Sequence, residues 1–289
     1  MKDSSIDVVY IPVPSGVKKQ WCIAAAQHGK HVIAEKPFSS ATEVEEITQA
    51  CRDNNVCFLD GTMFMHNPRT HEVAKLIASG DLGEVTFIHA DFRFAMSRDS
   101  KDIRVNKELE PLGALGDVGW YTAKGVLVGT QFELPTKVFA HATYLNGVVF
   151  SLSAILLFKD GKRASFDCGF ESSNIQILAI SGVKKTVTLT DYVIPWSMEP
   201  LIFPKVAPSS MLTYQIGDTN GVQETVSIDI GTRSQETRLI NEMNALVAQK
   251  KADKTFSGSE RWMREALATQ KILNALAESA EKGTFVEIH

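Results

Sequence analysis

Strand-like and helix-like segments alternate along residues 1–62, and this alternation restricts the possible folds more than any other feature of the sequence. β-rich runs are predicted at residues 6–11, 31–34 and 56–60, with helices at 17–28 and 40–54 between them. Strands that are joined by helices in this way form a parallel sheet with right-handed crossovers. The sequence therefore predicts an α/β fold that begins with part of a doubly wound (Rossmann) parallel sheet.

The pattern changes after residue 62, and a second domain is predicted from residue 63 to residue 289. A helix begins at Pro68, strands follow from Glu84, and an Asp160-Gly161 turn indicates a hairpin. Further strands are predicted at residues 137–145, 148–158, 163–171, 174–181 and 185–190, and further helices at 117–128, 234–249 and 259–282. Residues 192–221 contain four prolines and are predicted to be irregular. We expect an α+β domain with a mainly antiparallel open sheet.

The composition argues against several classes of partner and site. A net charge of −4 gives no reason to expect nucleic acid or an anionic membrane as a partner. No apolar run approaches the ~20 residues of a membrane span, and the first residues lack the apolar stretch of a secretory signal. The four cysteines show no C-x-x-C spacing and the histidines are scattered. We therefore expect reduced thiols in a cytoplasmic protein and no metal site.

The segment His-Val-Ile-Ala-Glu-Lys-Pro at residues 31–37 places a cation at the end of a predicted strand. Lys36 precedes a proline, so its backbone is held extended. The carboxyl ends of strands in a doubly wound sheet are where ligands bind, and an ammonium there can favour a developing alkoxide. The alternative is a surface Lys-Pro turn, since lysines are mostly exposed.

The segment Gly-Ala-Leu-Gly-Asp-Val-Gly-Trp-Tyr at residues 113–121 adds a carboxylate and a phenol. Asp117 and Tyr121 are four residues apart, so both side chains are expected on one face of a helix. A phenol is a poor base at neutral pH, but a nearby ammonium favours the phenolate, and Lys36 could supply that charge. The alternative is an aspartate beside a helix N-terminus and a half-buried tyrosine.

The usual electron partner for such alcohol chemistry is a nicotinamide, and its usual glycine turn is missing. No Gly-x-Gly-x-x-Gly segment, which would hold a pyrophosphate after a first strand, occurs in the 289 residues. Residues 1–62 therefore read as the C-terminal half of a dinucleotide-binding domain in a truncated chain. We expect such a chain to bind NAD or NADP weakly or not at all, because the pyrophosphate site is largely a helix N-terminus.

Several segments together resemble the glucose–fructose oxidoreductase/myo-inositol dehydrogenase (Gfo/Idh/MocA) family. The resemblance covers essentially the whole chain, and it is closest to the branch of the dihydrodiol and xylose dehydrogenases. It rests on residues 12–16 with Trp21, residues 29–32 and 35–37, residues 60–63 and 66–69, the segment 113–121, and the closing segment 260–283. Two motifs in order, about eighty residues apart, form a specific signal, whereas either motif alone would be weak.

The resemblance implies an NAD(P)-dependent oxidoreductase that transfers hydride between a nicotinamide and a sugar, polyol or cyclic diol. It implies NADP slightly more than NAD, a small carbohydrate-like substrate, and a possible homodimer through the open sheet. The implied catalytic residues are Lys36, Asp117 and Tyr121, and the implied cofactor-binding residues are Pro14, Ser15, Glu35, Lys36, Pro37 and Arg69. His66 and Arg104 are weaker candidates for the same site.

The sequence also departs from the family at three places. The phosphate-binding glycines are absent, Lys18 stands where a histidine is usual, and a glycine usual near residues 183–186 is missing. An alternative function therefore stays open. The chain would then be a non-catalytic remnant or binding subunit that retains the substrate domain and pairs with a homologue through its sheet.

Overall fold

Three short strands and two helices form the first layer of the structure. The structure is a computed structural model, and it describes residues 1–198, 209–231, 233–253 and 258–288. The strands are β1 (Val8–Ile11), β2 (His31–Ala34) and β3 (Phe58–Asp60), and the helices between them are α1 (Ser15–Gln27) and α2 (Ala41–Asp53). The strands are parallel in the order β1–β2–β3. This confirms the predicted part of a Rossmann-type sheet.

A glycine follows the first helix of this layer, and a serine caps the second. Gly29 adopts a positive φ of 70°, which turns the chain out of α1 and into β2. The side chain of Ser40 accepts a hydrogen bond from the Glu43 amide and so caps α2. Small buried residues on α1, among them Cys22 and Ala25, let the helix lie close to the sheet.

A second, nine-stranded sheet forms most of the rest of the molecule. Its strand order is β11–β10–β9–β8–β4–β7–β6–β5–β12. The strands are β4 (Val85–Ala95), β5 (Lys137–Leu145), β6 (Val148–Leu157), β7 (Arg163–Gly169), β8 (Glu171–Gly182), β9 (Lys185–Leu189), β10 (Met211–Asp218), β11 (Gln223–Asp229) and β12 (Val286–Glu287). All neighbouring pairs are antiparallel except β4 and β7, which run parallel. The expected mainly antiparallel sheet is therefore confirmed.

Five further helices pack around this sheet and join it to the first layer. They are α3 (Pro68–Ala78), α4 (Ala114–Asp117), α5 (Gly119–Gly129), α6 (Gln235–Ala252) and α7 (Ser259–Lys282). Every residue of α5 is buried, because this helix lies between the sheet on one side and α7 on the other. The long helix α7 also contacts β3 and α2, so one helix touches both layers.

Two predictions about the second domain were wrong in part. Within residues 192–221, Met211–Asp218 forms strand β10, in which Leu212 and Tyr214 alternate inward with exposed neighbours. Residues 199–208 of that predicted irregular segment lie outside the described residues. The predicted single helix over 117–128 is divided at Val118 into α4 and α5.

A buried ion pair joins the end of β3 to α5. Lys124 Nζ lies 2.9 Å from Asp60 Oδ2, and the two side chains are 0% and 1% exposed. The other oxygen of Asp60 accepts hydrogen bonds from the amide and the hydroxyl of Thr62. Trp120 Nε1 donates to that hydroxyl oxygen at 2.7 Å. These contacts fix the position of α5 relative to the parallel sheet.

In the described part of the chain, no helix is both long enough and apolar enough to cross a membrane.

Replacing Lys124 with methionine is expected to destabilise the protein strongly, because Asp60 would keep a buried charge without its partner. Removing one member of a buried pair typically costs about 3–5 kcal/mol in the free energy of unfolding. Chemical denaturation of the wild-type and variant proteins measures this difference. The matched control is Lys251→Met, since Lys251 pairs with Asp7 while its side chain is 64% exposed. Equal effects of the two substitutions would contradict a special role for the buried pair.

Candidate active site between the two layers

Lys36 lies directly after β2, and its ammonium group is held by a residue of the second domain. Lys36 Nζ lies 2.6 Å from Asp117 Oδ1 and donates to the Asp117 carbonyl oxygen at 2.9 Å. The two side chains are only 10% and 15% exposed. The structure therefore brings the two sequence motifs together, although about eighty residues separate them in the chain.

Asp117 carries two ion pairs, one through each carboxylate oxygen. Its Oδ2 accepts from Arg104 Nε at 2.7 Å, while Oδ1 faces Lys36. Burial by itself would raise the pKa of Asp117, but the charges and hydrogen bonds of Lys36 and Arg104 outweigh it and hold the pKa below its usual value. The carboxylate is therefore ionised at neutral pH and fixes both cations.

Tyr121 packs beside Lys36 with its ring rather than with its hydroxyl group. Lys36 Nζ lies 4.6 Å from the centroid of the Tyr121 ring, which is a cation–π contact. Burial, followed by the charges of Glu35 and Asp117, raises the pKa of Tyr121 well above its usual value. The expectation that Lys36 would make a phenolate available was therefore wrong. The phenol is protonated at neutral pH, and its hydroxyl donates only a weak bond to Met63 Sδ at 3.3 Å.

The break between α4 and α5 does not separate Asp117 from Tyr121. Both side chains line the same cavity, as their spacing of four residues predicted. Gly116 allows α4 to approach Pro37 closely, because a Cβ atom at this position would lie 3.0 Å from Pro37 Cγ. This close approach brings the start of α4 to the loop that carries Lys36.

The cavity beside these residues has a volume of about 670 Å³ and a mixed lining. Aromatic and aliphatic side chains line it together with amides, hydroxyl groups and charged groups. The lining residues are Lys36, Phe92, Phe94, Ala95, Arg104, Asp117, Val118, Tyr121, Ser173, Asn174, Gln176 and Ile194. Gln176 is not free, since its amide both accepts from and donates to the backbone of Ile194. An amphipathic ring of sugar size fits such a space.

Two smaller cavities lie on the side of the parallel sheet. One, of about 190 Å³, is lined by residues 12–14, residues 35–37, residues 103–104, Glu110 and Asp117. Lys36, Arg104 and Asp117 line this cavity and the 670 Å³ cavity, so their ion pairs form the wall between the two. The other cavity, of about 400 Å³, contains Tyr10, Glu35 and Tyr121.

Most of the residues that the sequence assigned to cofactor binding lie around these smaller cavities. Pro14, Glu35, Lys36 and Pro37 line the first of them. Glu35 accepts a hydrogen bond from the Tyr10 hydroxyl at 2.8 Å, and burial raises the pKa of its carboxyl group. These residues therefore lie together beside one small cavity after β1 and β2.

Ser15 does not offer its polar groups to a ligand. Its amide donates to Glu110 Oε1 at 3.1 Å, and its hydroxyl donates to Glu110 Oε2 at 2.6 Å. The next amide, of Gly16, donates to the Leu109 carbonyl at 2.9 Å. The N-terminus of α1 is therefore filled by protein acceptors, so its first amides are not available to a phosphate group.

The structure does not bring Arg69 to this site. Arg69 is 1% exposed, and its Nη1 lies 2.6 Å from Asp191 Oδ1 and 2.9 Å from the Thr213 carbonyl oxygen. These contacts tie α3 to β10. His66 is also buried, stacks on Trp262 with ring centroids 4.8 Å apart, and has a pKa lowered by burial to about 4. Neither residue lines one of the three cavities.

Sequence reasoning missed Glu110 and underrated Arg104. Glu110 stands in a loop with no motif, and nothing in the sequence indicates that it closes the N-terminus of α1. Arg104 follows Asp102 in a short turn, and only its contact with Asp117 shows that it belongs to the site. Phe92 and Phe94, which line the large cavity, were not predicted as site residues either. The alternation of residues along β4 indicates only that Phe92 is buried.

The fit of a nicotinamide cofactor can be judged from these residues alone. The Glu35 carboxylate after β2 lines both smaller cavities and suits the hydroxyl groups of a ribose, and the adjacent cavities suit a flat ring. A pyrophosphate has no comparable place at the N-terminus of α1, which Glu110 and Leu109 already fill. The described site therefore fits the nicotinamide end of a dinucleotide.

Comparisons with known proteins agree with this geometry. Residues 1–62 match a family model described as an oxidoreductase family with an NAD-binding Rossmann fold, and residues 70–188 match the GFO/IDH/MocA C-terminal domain. D-xylose 1-dehydrogenase (NADP(+)) 2 of Haloferax volcanii is 29% identical over 100% of this chain and 82% of its own length. The trans-1,2-dihydrobenzene-1,2-diol dehydrogenase of Xenopus tropicalis is 29% identical over 65% of this chain and 57% of its own length.

Solved structures share the fold across both layers. The aldose–aldose oxidoreductase of Caulobacter crescentus superposes with a TM-score of 0.83 at 21% identity, over 99% of this chain and 80% of that chain. A 3-ketoreductase of Actinomadura kijaniata, solved with NADP and TDP-benzene, gives a TM-score of 0.80 at 20% identity, over 96% and 79%. Because both layers match models of one family, in the family's own order, the chain belongs to the GFO/IDH/MocA family of NAD(P)-dependent oxidoreductases.

Proposed function

We propose that this protein is a dehydrogenase or reductase that interconverts a hydroxyl group and a carbonyl group on a sugar, a polyol or a cyclic diol. The observation that carries the proposal is the convergence of Lys36, Asp117 and Tyr121, from two layers of the fold, on the wall of one cavity. A nicotinamide bound at the ends of β1 and β2 would supply or accept the hydride.

Tyr121 is proposed as the group that exchanges a proton with the substrate oxygen. Its raised pKa means that it carries its proton at neutral pH, so it is prepared to donate to a carbonyl oxygen. The weak bond to the Met63 sulfur costs little to exchange for a bond to substrate. A protonated phenol is the form of this residue that can donate to a carbonyl oxygen during reduction.

Lys36 is proposed to stabilise negative charge on the same oxygen. Two bonds to Asp117 orient its ammonium and leave a third N–H that can donate to a substrate. A fixed cation needs no reorganisation when charge develops, which is the condition for effective electrostatic catalysis. Asp117 then acts by holding Lys36 and Arg104 in place.

The mixed lining of the large cavity supports a substrate that has both C–H surface and hydroxyl groups. Phe92 and Phe94 can lie against the C–H face of a pyranose or a cyclic diol, while Ser173 and Asn174 offer hydrogen bonds to its hydroxyl groups. The names of the relatives include both kinds of substrate, a pentose and a dihydrobenzene diol. We propose that the substrate belongs to this range.

Tyr121→Phe is expected to lower steady-state turnover by a factor of about 10²–10⁴, because it removes the proton donor and leaves the ring packing intact. The measurement is reduction of a sugar-derived ketone, followed by NAD(P)H absorbance. Tyr214→Phe is the matched control, since Tyr214 is buried on β10 and lines none of the three cavities. Unchanged turnover in Tyr121→Phe, with chemistry as the slow step, would remove Tyr121 from the mechanism.

The occupied N-terminus of α1 leads to an expectation about cofactor affinity. If the 289-residue chain holds only the nicotinamide end of the cofactor, the rest of NADH adds little binding energy. Reduced nicotinamide mononucleotide and NADH should then bind with dissociation constants within about tenfold of each other, a difference of about 1.4 kcal/mol in binding free energy. Isothermal calorimetry on the 289-residue chain measures both constants. NADH binding at micromolar concentration and far more tightly than the mononucleotide would reveal a pyrophosphate site elsewhere in the chain.

The same titration separates the proposed enzyme from the alternative function. A binding subunit without catalysis is favoured by one observation, the occupied phosphate-binding position at α1. Such a protein would bind a sugar in the 670 Å³ cavity but neither nucleotide. Binding of the mononucleotide together with turnover excludes it.

We also propose a homodimer through the face of the nine-stranded sheet that lies opposite α5, in a cytoplasmic protein with reduced thiols. On β6, Leu152 and Leu156 face inward, whereas Ile155 points outward and is 50% exposed. All four cysteines are free and buried, which suits a reducing compartment.

A charge introduced at Ile155 tests the proposed dimer surface. Ile155→Asp is expected to shift a dimer to a monomer, because the charge would have to be buried in the interface. Sedimentation velocity measures the change, and Ile240→Asp on α6 is the control, since Ile240 is 52% exposed away from that face. A monomeric wild-type protein would contradict the proposed interface.

A further inference from the structure

Lys18 is a buried cation close to the proposed catalytic residues. It lies on α1, is 1% exposed, and its ammonium donates to the Pro37 carbonyl oxygen and lies 5.3 Å from the centroid of the Phe38 ring. Within the described residues this carbonyl is its only hydrogen-bond acceptor. Burial lowers the pKa of Lys18 to about 8, and the titratable groups around it are Glu110, Cys22, Lys36 and Glu35.

The Ser15 hydroxyl group lies close to the same carbonyl group, while its single proton can serve the nearer oxygen of Glu110. The hydroxyl group of Ser15 lies 3.1 Å from the Pro37 carbonyl oxygen and 2.6 Å from Glu110 Oε2. The amide of Ser15 donates to the other oxygen of Glu110. The first turn of α1 therefore contacts both the loop after β2 and the loop before α4 through hydrogen bonds.

Each of these two loops adjoins a proposed catalytic residue. Pro37 follows Lys36, and the loop of Glu110 continues into α4, which ends at Asp117. The backbone of Gly16 approaches that loop so closely that a Cβ atom would lie 2.0 Å from the Glu108 carbonyl oxygen. A shift in either loop would change the separation between the Lys36 ammonium and the Asp117 carboxylate.

We propose that Ser15, Lys18 and Glu110 form a positioning cluster, here called the Pro37 clamp, which holds Lys36 against Asp117 across the boundary between the two domains. The effect of the clamp on catalysis rests on the proposed function, whereas its effect on the contact between Lys36 and Asp117 does not. The clamp also gives Ser15 a role other than cofactor binding.

The buried charge of Lys18 does not stabilise the folded protein, and this favours a positioning role for the residue. A lysine with a lowered pKa is disfavoured in its charged form by the folded state, so below pH 8 the charge costs stability instead of adding it. Replacing a poorly compensated buried charge with an apolar side chain of similar length is often neutral or stabilising. The Ser15 hydroxyl would still lie 3.1 Å from the Pro37 carbonyl oxygen.

The test measures the environment of Lys36 directly. Lys18→Met is compared with wild type by brief acetylation with a small amine-reactive reagent, followed by peptide mass spectrometry of Lys36. Because Asp117 holds the Lys36 ammonium in a protected contact, loosening the loop should raise the acetylation rate of Lys36 roughly fivefold, the factor that one ordinary hydrogen bond contributes. Thermal stability of the variant should be equal to or higher than that of wild type.

Lys30→Met is the matched control. Lys30 is also a buried lysine whose ammonium donates to backbone carbonyls, those of Asp3 at 2.6 Å and Ile6 at 2.8 Å, but it lies outside the clamp. Its replacement should leave acetylation of Lys36 unchanged. Unchanged Lys36 acetylation in Lys18→Met, or an equal rise in Lys30→Met, would overturn the proposal.

Ser15→Ala provides a second variant, which removes the hydroxyl group that lies between the Pro37 carbonyl and the Glu110 carboxylate. It should raise Lys36 acetylation as well, and the double variant should exceed the sum of the two single effects if both residues hold one group. If Lys18→Met does not fold, Ser15→Ala decides the question alone. If the wild-type chain shows no turnover, the proposed function fails while the acetylation result still decides the clamp. With turnover present, Lys18→Met should lower kcat more than it raises KM.

Discussion

The buried ion pair between Lys124 and Asp60 holds the two layers of this protein in one geometry. Neither charge reaches water, so each depends on the other and on the hydrogen bonds of Thr62 and Trp120. The pair lies on the side of α5 that faces β3, and the residue after Trp120 is Tyr121, which faces the large cavity. The Lys124–Asp60 pair that joins the layers therefore also fixes the position of Tyr121, the proposed proton donor, in the wall of the cavity.

Charge at the site is arranged as a short alternating row. Arg104, Asp117 and Lys36 follow one another with contacts of 2.7 and 2.6 Å, and the row separates the larger cavity from a smaller one. A row with one anion between two cations retains a positive excess for a developing alkoxide. The phenol of Tyr121 lies beside this row in a buried position that raises its pKa, so it is protonated at neutral pH.

Local patterns were sufficient to predict most elements of the fold. Strand β2 and the bounds of β5 and α7 agree with the prediction, because runs of apolar residues with flanking glycines and caps act over a few neighbouring residues. Strands β10 and β11 escaped prediction. Their antiparallel pairing, β10 with β9 and β11 with β10, supplies the order that their largely polar sequence does not indicate.

The sequence by itself determined the family, the α/β start and the mainly antiparallel second part of the chain, because each is written in short contiguous segments. The convergence of Lys36 with the Asp117 motif was only an expectation, since it depends on a contact between residues about eighty positions apart. Only the tertiary structure decided what surrounds these segments. It showed that Glu110 fills the N-terminus of α1, that Arg69 is bound to Asp191, and that burial keeps Tyr121 protonated. Such facts depend on contacts between residues far apart in the chain, and on the exclusion of water that raises or lowers a pKa, neither of which a local pattern records.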